Sequence, residues 1–367
     1  MELEHKTYFK NLDATRALAF LMVFVGHMFI NYDVDKSASI FFQFSNLGRF
    51  GVDYFFVLSG FLITWPALIN QNTNVFSYKN FIFRRILRIW PLYFIIVFIG
   101  FFIYFFSDSF GYQIEEIPSA IFFISFTTNL YSASCGDEFL FFLVIIWSVA
   151  IEFQFYVIWG LVLKYCHKYI FHISFLFIVL SLIFRYYFLN INQNQDQLYY
   201  HTFGTFGNFG VGALVALILY KRGFLLNLLC TKTSKYRIYI YCILMTCLLF
   251  HFYIFSNSYS RIFERLFYAI LFGYVIIDQV ISENERFKFG KSKLLNHMGK
   301  ISYGLYCYHA VVISFIVYLL KYFEIQQNIY LTVFVYPLIV FSLTFFISKW
   351  SYDLIESWFL KIKKEYY

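Results

Sequence analysis

Apolar stretches of about 20 residues, the length a helix needs to span hydrocarbon, recur so often in this chain that little room is left for anything else. They fall near 17–31, 51–69, 89–106, 143–163, 172–189, 204–220, 237–255, 262–280, 301–320 and 331–348. A further piece at 118–130 opens with Pro118 and is too short for a comfortable crossing, which predicts a re-entrant or partial helix. The expected fold is all-α, a polytopic integral membrane protein with about ten transmembrane helices plus that one short piece. The whole of 1–367 is expected to form a single membrane domain.

Composition agrees, since the chain is 60% hydrophobic and only 14% charged, with mean hydropathy +0.64. Soluble domains carry roughly half apolar residues. The longest polar segment, around 281–300, reads as a cytoplasmic linker, so the chemistry must lie in the membrane. A net charge of +8 could suggest nucleic acid, but the basic residues form short clusters that punctuate apolar runs. They read instead as orientation signals. The layout puts only Lys36, Arg49, Arg185, Arg261, Arg265 and Lys321 outside, with the other 23 of the 29 Lys and Arg inside and both termini cytoplasmic. A full crossing by 118–130 would turn the basic loops after 164, 221 and 286 to the wrong face. The first apolar run begins after Arg16 without a small-residue cleavage site, so no cleaved signal peptide is expected. The six cysteines are scattered, which argues against a disulfide framework, and the eight histidines lack metal-ligand spacing.

Ionisable residues at membrane depth are functional candidates because each costs a few kcal/mol or more. Arg16 and His27 are eleven residues apart, which puts them on one helical face and about 16 Å apart along the axis. Asp13 can pair with Arg16 at i, i+3, while snorkelling to headgroups would also account for Arg16. His27 offers a base that titrates near neutrality, or else a helix-to-helix hydrogen bond. Arg84, Arg85 and Arg88 make one cationic face ahead of Pro91. Arginine suits bidentate phosphate binding, and the cluster would serve equally to anchor a loop to anionic lipid. Glu152 sits about two turns into hydrocarbon and needs a partner or a proton. Ser59 and Gly60 form a small pair that lets helices approach, and Ser302, Tyr306 and His309 share one face.

In order and spacing these segments resemble the acyltransferase 3 family of membrane acyltransferases. The resemblance rests on Leu12-Asp13 with Arg16 and His27, and on Gly51-Val-Asp-Tyr-Phe-Phe-Val-Leu-Ser-Gly-Phe-Leu-Ile63. It continues through Arg84-Arg85, Arg88 and Pro91, then Asn129 ahead of Trp147-Ser148 and Glu152. Gly299, Ser302-Tyr303, Tyr306 and His309 follow, and Ser351-Tyr-Asp-Leu-Ile-Glu356 closes it. Departures are Ala14-Thr15 before Arg16, Val149 after Ser148, and Ser357-Trp358 near the end; none removes a charged motif residue.

The resemblance implies an O-acyltransferase, by default an O-acetyltransferase, of the cytoplasmic (inner) membrane. Its donor would be cytoplasmic acyl-CoA, acetyl-CoA by default, used as co-substrate with no permanently bound cofactor. Its acceptor would be a hydroxyl of a cell-surface or lipid-linked carbohydrate. His27 would be the catalytic base, with Glu152 orienting or charge-balancing it. Arg16, Arg84, Arg85 and Arg88 would hold the donor, and Asp13, Ser59, Asn129, Trp147, Ser148, Ser302, Tyr303, Tyr306 and His309 would support them. Some relatives carry an extra hydrolase-like domain, and this chain is expected to act alone or with a separate acyl-handling protein. A glycolipid or polysaccharide transporter or flippase is the rival reading, discriminated by acyl-CoA consumption. A glycosyltransferase using Asp33 and Asp35 is the third.

Overall fold

The computed structural model describes residues 8–28, 44, 46–70, 76–107, 117–192, 195–223, 234–281, 288–325, 328, 330–363 and 366. Asp33, Asp35, Lys36 and Cys230 lie outside the described residues. Among the described residues the regular structure is entirely helical, with no strand. Ten helices among the described residues reach 16 residues or more. They are α1 (Lys10–Met28), α2 (Leu47–Ile69), α3 (Tyr78–Phe106), α4 (Trp147–Tyr165) and α5 (Ile170–Tyr187), followed by α6 (Thr202–Lys221), α7 (Ser234–Leu249), α8 (Ser258–Ile281), α9 (Ser302–Tyr322) and α10 (Tyr336–Ser351).

These helices coincide with the ten apolar stretches, but not all of them qualify as spans. Seven segments among the described residues are long and apolar enough to cross a membrane: Leu47–Ile69, Tyr78–Phe106, Phe141–Tyr165, His167–Ile191, Gln197–Lys221, Ser302–Tyr322 and Leu331–Ile362. Of the other three, α1 carries Lys10, Asp13 and Arg16, α7 has only 16 residues, and α8 carries Arg261, Glu264, Arg265 and Asp278. A window that scores apolarity alone accepts them, whereas charge and length set them apart.

By its internal contacts the chain divides into two compact units: Met1–Ser77 with Ile158–Gly299, and Tyr78–Val157 with Lys300–Tyr367. In the first, α6 packs against α2, α5 and α8, and α1 packs against α2. Close approach explains the small residues. A Cβ on Gly212 of α6 would overlap the Val57 carbonyl of α2, and one on Gly60 of α2 would overlap the Phe209 carbonyl of α6. With lipid as solvent, such backbone contact is what holds helices together. Trp159 Nε1 adds a hydrogen bond to Thr64 Oγ1 at 2.9 Å.

The stretch read as a polar linker is only partly one. Within 288–300, Lys288 is 4% exposed and donates to the Asp278 carbonyl, Asn296 bonds the Gly290 carbonyl at 2.6 Å, and Gly290 lies against Asn11 of α1. Burial works to lower the Lys288 pKa against the pull of Asp278. Gly299 sits so close to the Asp13 carbonyl that no side chain would fit.

In the second unit, α3 and α10 turn many large apolar side chains outward, among them Phe98, Phe105, Phe346 and Trp350, as expected of surfaces that face hydrocarbon. The short piece near 118–130 resolves into two helices, Ala120–Ile124 and Thr128–Cys135. They are broken at Phe126, whose φ of 54° is unusual for a bulky residue. Its ring is held between Tyr93 and Phe153 at 4.4 and 4.3 Å, and Gln154 Nε2 donates to its carbonyl at 2.6 Å. Packing fixes a backbone that local preference disfavours. Segments of π-helix at Leu331–Val335 and Tyr352–Glu356 flank α10, a wider winding that periodicity alone does not reveal.

Candidate active site

The cationic face of α3 forms inside one continuous helix that starts eleven residues before the expected span. Its three arginines find different partners within their unit. Arg84 Nη1 donates to the Tyr366 carbonyl at 2.5 Å. Arg85 lies over the rings of Phe81 and Tyr156, 5.2 Å from each centroid. Arg88 is within electrostatic reach of Glu356, whose buried Oε1 has no hydrogen-bond partner. Tyr156 donates its hydroxyl to Glu152 Oε1 one turn earlier on α4. Glu152, Tyr156 and Arg85 thus form a carboxylate, phenol and guanidinium series.

The supporting residues of this unit are joined by hydrogen bonds. Gln154 Nε2 reaches Asn129 Oδ1 at 2.8 Å. The Tyr306 hydroxyl lies 2.7 Å from Ser148 Oγ and donates to the Ile145 carbonyl at 2.9 Å. Tyr303 donates to the Ile89 carbonyl at 2.9 Å. His309 is fully buried with Nδ1 2.5 Å from the Tyr306 carbonyl, and Trp147 and Ser302 are buried as well. Of the stripe on α9, Tyr306 thus ties the helix to Ile145 and Ser148, while His309 bonds within α9 itself.

The first unit holds the remaining candidates. Arg16 Nη1 meets Asp13 Oδ1 at 2.6 Å, the i, i+3 pair the sequence predicts, and Tyr8 donates to Asp13 Oδ2 at 2.6 Å. Burial and the Asp13 carboxylate push the Tyr8 hydroxyl up to about 12. Arg16 and His27 are both half-buried, and α1 is unbroken between them, so the spacing of eleven residues is realised as one helical face. Ser59 is half-buried next to Gly60, whose fit against α6 makes the small pair a packing feature. Among the described residues no group of three or more His, Cys, Asp or Glu could hold a metal ion.

Two groups of residues escaped the sequence reading. Gln154 and Tyr156 follow Glu152 at i+2 and i+4, and polar side chains beside an intramembrane carboxylate were the available signal. The larger omission is a buried ionic network made by α2, α5, α6 and α8. Glu264 pairs with Arg49 at 3.2 Å and Arg185 at 3.6 Å, and Asp53 pairs with Arg265 at 3.6 Å and accepts from Asn208 Nδ2 at 2.7 Å. The charge layout puts Arg49, Arg185 and Arg265 on the outer side, because single charges near the ends of apolar runs look like orientation signals.

A helical, largely apolar chain with buried carboxylates, guanidiniums and imidazoles defines a multi-pass membrane protein with chemistry available at depth. A family model described as an acyltransferase domain, acyltransferase 3, matches residues 9–352, and the chain belongs to this family. A "Putative O-acetyltransferase" of Staphylococcus aureus (strain COL) is 29% identical over 368 residues, covering 96% of this chain and 58% of the relative. A "Putative peptidoglycan O-acetyltransferase", YrhL of Bacillus subtilis (strain 168), is 25% identical over 332 residues, covering 84% of this chain and 49% of the relative. The chain thus spans about half the length of these curated relatives. An uncharacterized protein of Haemophilus influenzae is 31% identical over 184 residues, covering 45% of this chain. No solved structure matches.

Proposed function

We propose that this protein is an O-acyltransferase of the cytoplasmic membrane, with both termini cytoplasmic. It moves an acyl group, acetyl by default, from cytoplasmic acyl-CoA to a hydroxyl of a cell-surface or lipid-linked carbohydrate. The family match over residues 9–352 carries this reading, and the O-acetyltransferase names of the relatives support it. In the proposed reaction His27 takes the proton of the acceptor hydroxyl as its oxygen attacks the thioester carbonyl. The carbon–sulfur bond breaks, and the departing CoA thiolate recovers the proton from the imidazolium. Arg84, Arg85 and Arg88 are assigned to the donor phosphates, which guanidinium forks suit, and Arg16 to the donor arm. Glu152 balances the charge of this machinery and holds Arg85 in place through Tyr156.

The test is release of free CoA from acetyl-CoA by the full chain in lipid nanodiscs, with a crude envelope-glycan extract as acceptor. Acceptor-dependent release is expected, and His27→Ala should reduce it about 10²- to 10⁴-fold, the range for a lost general base. Full activity in His27→Ala would refute the assigned base. Glycolipid movement without acyl-CoA consumption would instead support a transporter.

A further inference from the structure

The buried ionic network of the first unit has more cation than it uses. Three guanidiniums, those of Arg49, Arg185 and Arg265, face two carboxylates, those of Asp53 and Glu264. Arg185 is otherwise spent on the backbone, donating to the carbonyls of Ile262 at 3.0 Å and Arg261 at 2.5 Å. Arg265 reaches the carbonyls of Gly204 at 3.3 Å and Tyr199 at 3.4 Å and lies over the Tyr199 ring. Arg49 differs from both. Its side chain is 21% exposed, against 3% and 4% for the other two, and its Nε, like that of Arg265, has no hydrogen-bond partner.

His251, which is 1% exposed, packs on the same Phe50 ring as Arg49, whose guanidinium lies 5.6 Å from the ring centroid. The imidazole contacts Phe50 edge-on, 5.2 Å between centroids, and senses the charges of Arg49 and Glu264. Neither Nδ1 nor Nε2 has a partner in hydrogen-bonding geometry, although the Leu248 carbonyl is close by. Asp53 Oδ2 is likewise buried without a partner. A purely structural ion network satisfies its members, because each buried polar atom left open costs about 1–3 kcal/mol. Here the open valences are the Nε donors of Arg49 and Arg265, the imidazole of His251, an acceptor on Asp53, and one unit of positive charge.

That set matches a ligand bearing one anionic group together with hydroxyls, which describes an acidic sugar. We propose that Arg49 and His251 form a binding site for the carboxylate of an acidic carbohydrate, with Asp53 available to accept from a sugar hydroxyl. The proposal rests on the carbohydrate-acyltransferase reading for its biological sense, and it gives that reading an acceptor class. The site is distinct from the residues assigned to the donor.

Binding is measured without any acyl-CoA, so that it stands or falls independently of transfer. The full chain in phosphatidylcholine nanodiscs is titrated by calorimetry with cellobiouronic acid and with neutral cellobiose. The acid should bind, the neutral disaccharide should bind at least about tenfold more weakly, and Arg49→Gln should lower acid affinity by about tenfold or more. His251→Phe keeps an aromatic ring against Phe50 and should also weaken the acid, which provides a second route if Arg49→Gln does not fold. Equal affinity for the two sugars, no binding by wild type, or folded variants that bind as wild type does would each overturn the proposal. Loss of acid binding when the nanodiscs contain phosphatidylglycerol, with that lipid held through Arg49, would overturn it in favour of a headgroup site. CoA release by a protein that fails these binding tests would leave the acyltransferase reading intact and reject this acceptor class.

Discussion

Replacing Glu264 by glutamine would keep the size of the side chain and remove the one charge that two guanidiniums of the first unit share. Glu264 is 3% exposed and lies 3.2 Å from the Arg49 guanidinium and 3.6 Å from that of Arg185. After the change, three guanidiniums would face the single carboxylate of Asp53. Removing one partner of a buried pair costs about 3–5 kcal/mol, because the remaining charge stays desolvated. Arg185 keeps the carbonyls of Ile262 and Arg261, which favours the lower end, about 3 kcal/mol. That is roughly a 150-fold fall in the ratio of folded to unfolded protein. Reversible unfolding of the full chain by sodium dodecyl sulfate in mixed micelles reads this directly. Arg185→Gln in the same background should restore part of the loss, since charge imbalance is the cause, and the coupling should be about 0.5–3 kcal/mol. A Glu264→Gln protein within about 0.5 kcal/mol of wild type, the scatter of surface substitutions, would refute this account of the network.

Gly212→Leu should prevent α6 from seating on α2, because the nearest atoms are backbone of Val57 and Phe61 and cannot rotate away. Loss of the monodisperse peak in size-exclusion chromatography is expected, with a cost beyond the usual 1–3 kcal/mol or so of overpacking. Tyr156→Phe keeps the ring under Arg85 while stripping the hydroxyl that Glu152 accepts. In steady-state assays the KM for acyl-CoA should rise about tenfold with kcat little changed, the scale of a lost hydrogen bond to a charged group. An unchanged KM would separate Tyr156 from donor binding.

Hydrophobic length made the helices legible, and i, i+3 spacing made the Asp13–Arg16 pair legible, since both depend on residues close in sequence. Span count was less so, because α1 and α8 mix apolar faces with buried charge that a hydropathy window averages away. The break at Phe126 depends on Tyr93, Phe153 and Gln154, none of which is adjacent to it in sequence. Lys288 and Gly290 looked like linker residues because their composition is polar, and only their contacts with Asp278 and Asn11 reveal burial. The arginine network was illegible for the same reason in stronger form. Its members come from four helices, and each alone resembles a charge at the end of a loop.

The pairing of Arg49 with Glu264 also has a bearing on how the protein is made. The two residues are 215 positions apart, and the whole of Tyr78–Val157, which belongs to the other unit, is synthesised between them. At about 5–20 residues per second, Arg49 and Asp53 wait roughly 10–40 s on the ribosome's clock before their partners exist. During that interval the guanidinium of Arg49 and the carboxylate of Asp53, one helical turn apart on α2, have each other as counter-charge. A nascent α2 of this design carries its own neutralising pair, and the wider network closes around it only as Arg185 on α5 and then Glu264 and Arg265 on α8 are made.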